Sequence, residues 1–227
     1  QQSNSQIIIT THNNLIASRL NLKNVIWITM NKAKSLNNIA ESDANFFIKT
    51  DNNNFLQLLL SKKAILVEGA TEFLLFPKIY QQITGRSIED DEISIISCNG
   101  ISYSRYLSVI KDTNKKIAVL TDNDKNNKKI EESINYNDEH QSQHIFMDNN
   151  INNWTWEKCF YALNQDTLDN LIEIDKTANY LFHEKDYGKV LGKMLNNKVE
   201  TAYSMLNSEI QFLIPQYIQD AIKWLNE

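Results

Sequence analysis

The sequence predicts an α/β fold, an open parallel β-sheet flanked by helices, with a helical insertion or C-terminal helical part. Three observations carry this. The apolar runs at Lys63–Val67, Ile93–Ser97 and Lys116–Thr121 are continuous rather than alternating, as in strands buried on both faces. Each is followed by a turn, and helical spacing separates one run from the next. From Trp154 to Glu227 the chain reads as mostly helix, interrupted near Asp186–Gly188 and at Pro215.

Taken in order, residues 6–11 are a β-branched run ending at His12, then comes a helix-like stretch, then a second short run at Val25–Thr29. This strand–helix–strand unit, 1–30, reads as the end of a preceding domain. Polar punctuation at Asn37-Asn38 and Asp51–Asn54 marks 31–61 as a linker or small subdomain. A new domain, 62–227, starts at the strand Lys63–Val67. Glu68-Gly69 is its turn, and Ala70–Ile83 has helical spacing through Phe73, Leu74, Phe76, Ile79 and Tyr80. Ile93–Ser97 leads into Asn99-Gly100 and a helix through Tyr103, Tyr106, Leu107 and Ile110, while Lys116–Thr121 runs directly into Asp122-Asn123-Asp124. His144–Met147 is a fourth strand. The polar helical stretch near 160–195 reads as an inserted subdomain and a contact surface.

Composition narrows the function. With 227 residues, 42% of them hydrophobic and 22% charged, the chain is that of an ordinary soluble globular protein. No apolar run approaches the ~20 residues that span a bilayer. The start, Gln-Gln-Ser-Asn, has neither Met nor a signal-peptide pattern, so a piece of a longer chain is expected. Cys98 and Cys159 are isolated, which argues against structural zinc or a disulfide framework and fits a reducing cytoplasm. A formal charge of -5 argues against nucleic-acid binding over the whole surface, so any such binding is local or metal-mediated.

In an open parallel sheet, ligands bind at the carboxyl ends of strands. Those ends hold Glu68, Asn99-Gly100, and Asp122 with Asp124, and Glu72 sits one helical turn beyond Glu68. Four carboxylates in one pocket repel, raise one another's pKa and call for a compensating cation. Oxygen-only ligation points to Mg2+ or Mn2+, and two such ions roughly 3.5–4 Å apart stabilise both oxygens of phosphodiester cleavage. The plainer alternative remains open: acids suit a helix start, and Asp-Asn-Asp also suits a simple turn.

Leu66-Val67-Glu68-Gly69-Ala70-Thr71-Glu72, followed by Leu120-Thr121-Asp122-Asn123-Asp124, resembles the two signature motifs of Toprim domains, whose fold is a Rossmann-like parallel sheet. Trp154-Thr155-Trp156-Glu157 resembles the Thr-x-Glu element of the OLD (overcoming lysogenization defect) nucleases, with Gabija-type proteins among them. Lys198 followed by Glu200, Ala202 and Leu206 resembles their lysine helix, and Ile214–Ile218 their C-terminal segment. The resemblance covers residues 62–227. It implies a two-metal DNA endonuclease with Glu68, Glu72, Asp122, Asp124 and Glu157 as metal ligands. Glu68 is also a base toward the attacking water, Lys198 stabilises charge on the phosphate, and Gly100 and Ser102 bind substrate.

Ile7-Ile8-Ile9-Thr10-Thr11-His12 resembles the strand and switch histidine of ABC-type ATPase heads, to which OLD proteins join their Toprim domain. This implies that 1–30 is a remnant of such a head and that His12 approaches ATP only in a longer protein. No Gly-x-x-x-x-Gly-Lys-[Ser/Thr] occurs here, and Asn13 stands where the family often has serine. The implied partners are DNA, the chain's own ATPase domain, further copies in a homo-oligomer and a helicase-like defence partner, with no membrane. Lys111, Lys115, Lys116, Lys125, Lys128 and Lys129 read as a basic rim or a solvated loop, and Trp154 and Trp156 as base-stacking or core residues. Other readings are a non-catalytic Toprim binding module and a Toprim enzyme acting on RNA. The gathering of five acids with Lys198 disfavours the first, and the histidine strand with the lysine helix the second.

Overall fold

The computed structural model describes residues 7–11, 13, 22–28, 33–49, 54–100, 102–174 and 187–227. Its centre is a sheet formed by β3 (Lys63–Val67), β4 (Ile93–Ser97), β5 (Lys116–Leu120) and β6 (Gln143–Phe146), which follow a short antiparallel ribbon of β1 (Ile26–Ile28) and β2 (Ala33–Ser35). The four strands are parallel and run in the order β4-β3-β5-β6. Val67 stands opposite Ser97 on one side and Leu120 on the other, so Glu68, Cys98 and Thr121 leave the sheet at one level.

Because side chains alternate across a strand, one apolar run feeds two cores. Ile65, Val67, Ala118 and Leu120 face α3 (Ala70–Thr84) and the C-terminal helices α6 (Trp156–Leu171), α7 (Lys189–Asn196), α8 (Lys198–Asn207) and α9 (Gln216–Asn226). Ala64, Leu66, Ile117 and Val119 face α1 (Glu41–Lys49), α2 (Phe55–Leu60), α4 (Tyr103–Ile110) and α5 (Asn127–Glu139). Burying each of the Ile, Leu and Val side chains among these stabilises by about 1.5–3 kcal/mol, which is why β3 and β5 are apolar through their interior.

Polar contacts fasten helices to this frame. Lys78 on α3 donates to the carbonyls of Met205, Leu206 and Ser208 at the end of α8, where a cation suits the helix dipole. Lys115, 6% exposed, does the same for α2 through the carbonyls of Leu58, Leu59 and Ser61, and burial lowers its pKa to about 8. Gly85 at φ 72° ends α3, a left-handed position that suits glycine. On the edge strand β6, the Asn137 side chain accepts from the Ile145 amide at 2.7 Å and donates to the Ile145 carbonyl at 2.8 Å.

Several expectations change in detail. Ile7–Ile9 form no regular element and stand exposed, since no described strand offers them a partner. Of the Val25–Thr29 run, Ile26–Ile28 form β1, paired antiparallel with β2, while the helix-like stretch at 14–21 lies outside the described residues. Within 31–61, α1 and α2 bury Phe47, Phe55 and Leu58 against the sheet. The fourth strand lies one residue earlier than read, because Gln143, only 2% exposed, belongs to it. In 160–195, Phe160, Leu168, Leu191 and Met194 join the same core as β3 and β5. Among the described residues, no helix is long and apolar enough to cross a membrane.

Candidate active site

The level ends of β3 and β5 set the site. After Val67 the chain turns through Glu68-Gly69 into α3, and the Glu72 side chain folds back over that turn. A Cβ on Gly69 would stand 3.0 Å from Glu72 Oε2, so the turn admits glycine with the carboxylate in place. From β5, Thr121 donates to Glu68 Oε1 and Asp122 Oδ1 accepts the Trp156 amide at 2.9 Å, at the N-terminus of α6. Glu157, in the first turn of α6, is 1% exposed. Its carboxylate accepts from Thr71 Oγ1 at 3.2 Å and Thr155 Oγ1 at 2.7 Å, and Lys198 Nζ at the start of α8 lies 3.1 Å away.

These groups lie close enough to act on one another's charge. Burial raises the Glu72 pKa to about 7, with repulsion from Asp122 and Glu157 adding and Lys198 opposing. Burial raises Asp122 to about 7 as well, with Glu68 and Glu157 adding. Burial works against a charged Lys198, but Glu157, Asp122 and Glu72 outweigh it and hold its pKa above the ordinary lysine value. Among the described residues no three acids form a ready-made metal cage. The donor set fits hard divalent cations in another way: such ions bind through one or two carboxylates, waters and substrate phosphate oxygens, and they relieve this crowding of negative charge.

Residues 59–124 match the family model of the overcoming lysogenization defect protein-like TOPRIM domain. Over this stretch the chain carries an OLD-like Toprim domain. Solved structures agree in fold. The C-terminal region of the Burkholderia pseudomallei OLD protein is 19% identical with a TM-score of 0.51, covering 74% of this chain and 98% of that one. The C-terminal region of the Xanthomonas campestris pv. campestris OLD protein is 18% identical with a TM-score of 0.53, covering 74% and 94%. At these identities the likeness speaks to the fold alone. A comparison with curated protein sequences returns no match.

The structure brings Glu68, Glu72, Asp122, Glu157 and Lys198 together. Asp124 takes a left-handed backbone at φ 53° and turns outward, 2.7 Å from Lys129 Nζ. Lys129 also lies 3.8 Å from Glu68 Oε1 and donates to Thr121 at 3.1 Å, so it ties the two motifs together. Gly100, at φ 78°, and Ser102 lie on the exposed loop after β4, and the Ser102 hydroxyl bonds Ser104 at 2.7 Å instead of capping α4. His12 lies outside the described residues.

The lysines read together as a rim are divided. Lys115 is buried under α2, Lys116 covers Trp224 at 4.8 Å, and Lys111 precedes β5, all at the end of the strand away from the acids. Lys125, Lys128 and Lys129 follow the Asp motif. Sequence reasoning overlooked Thr71, which bonds Glu157, and Asn123, which is 1% exposed and donates to the carbonyls of Asp148, Asn150 and Asn153 at 2.8, 3.0 and 3.2 Å. An asparagine between two acids offers the signal of a local turn; its long-range grip has none.

Two outcomes are expected here. Gly69→Ala should displace the Glu72 carboxylate by a few tenths of an ångström, lowering any metal-dependent activity of the site about tenfold while the melting temperature changes little. The pH behaviour follows from Glu72 and Asp122. Their folded pKa values, about 7, exceed the ordinary carboxylate range, so the folded state holds protons the unfolded state releases. Stability without metal is therefore full at acid pH and falls as pH rises through about 7. In EDTA the melting temperature should be lower at pH 8 than at pH 5.5, Mg2+ should raise it more at pH 8, and Glu72→Gln should flatten the pH slope. A slope unchanged by Glu72→Gln would contradict the clustering.

Proposed function

We propose that this chain is a metal-dependent nuclease that hydrolyses DNA phosphodiester bonds, as the cleaving part of a longer ATPase–Toprim protein of Gabija type acting against phage. The observation that carries the reading is Lys198 paired with the buried Glu157 beside Asp122 and Glu72: a fixed cation set among acids that want a second positive charge. Magnesium or manganese would be held by Glu68, Glu72 and Asp122, with Glu157 and the outer Asp124 completing the set. Such ions supply Lewis-acid stabilisation of the attacking and leaving oxygens.

The chain's own side chains do the rest. Glu68 takes the proton of the attacking water, while Thr121 and Lys129 hold its carboxylate. Lys198 faces the charge that grows on the non-bridging phosphate oxygens and, being fixed by Glu157, needs no reorganisation as it grows. Thr71 and Thr155 each donate to one oxygen of Glu157 and so fix the direction of its carboxylate. ATP, an ATPase head, self-assembly and a helicase-like partner belong to the longer protein in this reading.

The test is incubation of the chain with supercoiled plasmid plus Mg2+ or Mn2+, with a chelator control and the Asp122→Ala and Lys198→Ala proteins. Metal-dependent nicking lost in both variants supports the nuclease. Nicking that survives both substitutions, or no nicking together with metal binding indifferent to Asp122, overturns it.

A further inference from the structure

Trp154 and Tyr187 stand at the lip of the acid site without a role in the chemistry above. The Trp154 carbonyl accepts the Asp124 amide at 3.3 Å, and two residues on, the Trp156 amide is given to Asp122 at 2.9 Å. The two tryptophans have different surroundings. Trp156 is 2% exposed and stacks on Phe160 with ring centroids 5.0 Å apart, a core residue. Trp154 is only half-buried, and its ring lies beside the half-buried Tyr187, centroids 6.3 Å apart and inclined at 49°.

Two ammonium groups lie over this pair. Lys125 Nζ is 4.8 Å from the Trp154 ring centroid and 3.4 Å from the Tyr187 hydroxyl. Lys158 Nζ is 5.1 Å from the Tyr187 ring centroid. Lys125 directly follows Asp124 and Lys158 directly follows Glu157, so each cation is bound in sequence to an acid of the site. In a chain of net charge -5, aromatic faces and positive charge are thus brought together beside the place where phosphate is cleaved. The backbone that presents Trp154 is braced by Asn123, whose amide grips the carbonyls of Asp148, Asn150 and Asn153. A ring on such a braced loop loses little freedom when a flat ligand stacks on it.

Partly exposed aromatic rings with flanking lysines suit a nucleic-acid strand by simple physics. Every nucleobase has a π-face to stack, and every linkage carries a phosphate to neutralise. A base inside a duplex already spends its faces on its neighbours, so the ring pair can take only an unpaired one. We propose that Trp154 and Tyr187, with Lys125 and Lys158, form a stacking platform for one unpaired nucleotide next to the cleaved phosphate, so that the substrate class is single-stranded or locally melted DNA. The proposal rests on the nuclease reading for its place beside the scissile bond, but its binding is measured without cleavage. The base takes the ring face that Lys125 covers in the free protein, and the ammonium turns to the adjoining phosphate.

The experiment titrates the 227-residue chain, in EDTA, into a fluorescein-labelled oligodeoxynucleotide, either single-stranded or annealed to its complement, and reads anisotropy and tryptophan fluorescence. The single strand should bind about tenfold or more tightly than the duplex and quench tryptophan emission. Trp154→Ala should weaken single-strand binding about tenfold, the size of one stacked base, and leave duplex binding nearly unchanged. Trp154→Phe, which keeps a ring, should stay close to wild type, and Lys125→Gln should reduce the salt slope by about one. Should Trp154→Ala fold poorly, Tyr187→Ala carries the same expectation from the other ring. Equal binding of the two DNA forms, no binding of either, or Trp154→Ala and Tyr187→Ala proteins that bind as wild type would overturn the platform. Nicking of plasmid with Trp154-independent binding sinks the platform and leaves the nuclease; Trp154-dependent binding without nicking does the reverse.

Discussion

Asp122→Asn should lower metal-dependent nicking about a thousandfold, ~4 kcal/mol of barrier, while making the metal-free protein more stable. The two effects have one cause. Burial, together with Glu68 and Glu157, pushes the Asp122 pKa to about 7, so its charge is a burden on the folded state at neutral pH. Asparagine keeps an oxygen to accept the Trp156 amide and removes the charge, which relieves the repulsion but withdraws a hard anionic donor from the cations. Plasmid nicking and thermal melting at pH 8 in EDTA check it together. Activity within tenfold of wild type would remove Asp122 from the reacting centre, and a lower melting temperature would contradict the charge crowding.

Lys198→Ala should cost about a hundred- to a thousandfold in nicking, as loss of a fixed transition-state cation does, and should destabilise rather than stabilise. Here the charge left behind is Glu157, 1% exposed, held among the described residues by the Thr71 and Thr155 hydroxyls. Breaking a fully buried pair costs about 3–5 kcal/mol. The Lys198 side chain is 49% exposed, so solvent screening reduces the expected loss to about 1–2 kcal/mol. The double variant Lys198→Ala/Glu157→Gln should recover melting temperature but not activity. If the double variant melts as low as Lys198→Ala, the ion pair is not what holds α8 to α6.

Much of this architecture is legible in the residues. The continuous runs at Lys63–Val67 and Ile93–Ser97 fall on β3 and β4 as read, because strands covered on both faces need no alternation to announce them. Glu68 and Asp122 are legible because a parallel sheet delivers strand ends to one side. Asp124 shows the limit of spacing: its left-handed backbone turns the carboxylate to Lys129, which no count of residues conveys. The same holds for Lys115. Its neighbours in sequence suggest a solvated charged stretch, yet it lies under the end of α2 because three carbonyls there need a donor. The helices α1 and α2 were obscured by the asparagines around them, which signal turns locally while Phe47 and Phe55 settle the matter through the core.

The acids and their cation enter the chain far apart, Glu68 early and Lys198 late, and Lys78 on α3 grips the last turn of α8, the helix that Lys198 begins. During synthesis at ~5–20 residues per second, the nascent chain therefore carries its first carboxylates for roughly ten seconds before Lys198 exists. In the proposed reading, a copy that ends before Lys198 lacks the cation of its site and cuts at most weakly. On that reading a latent period is written into the order of the helices.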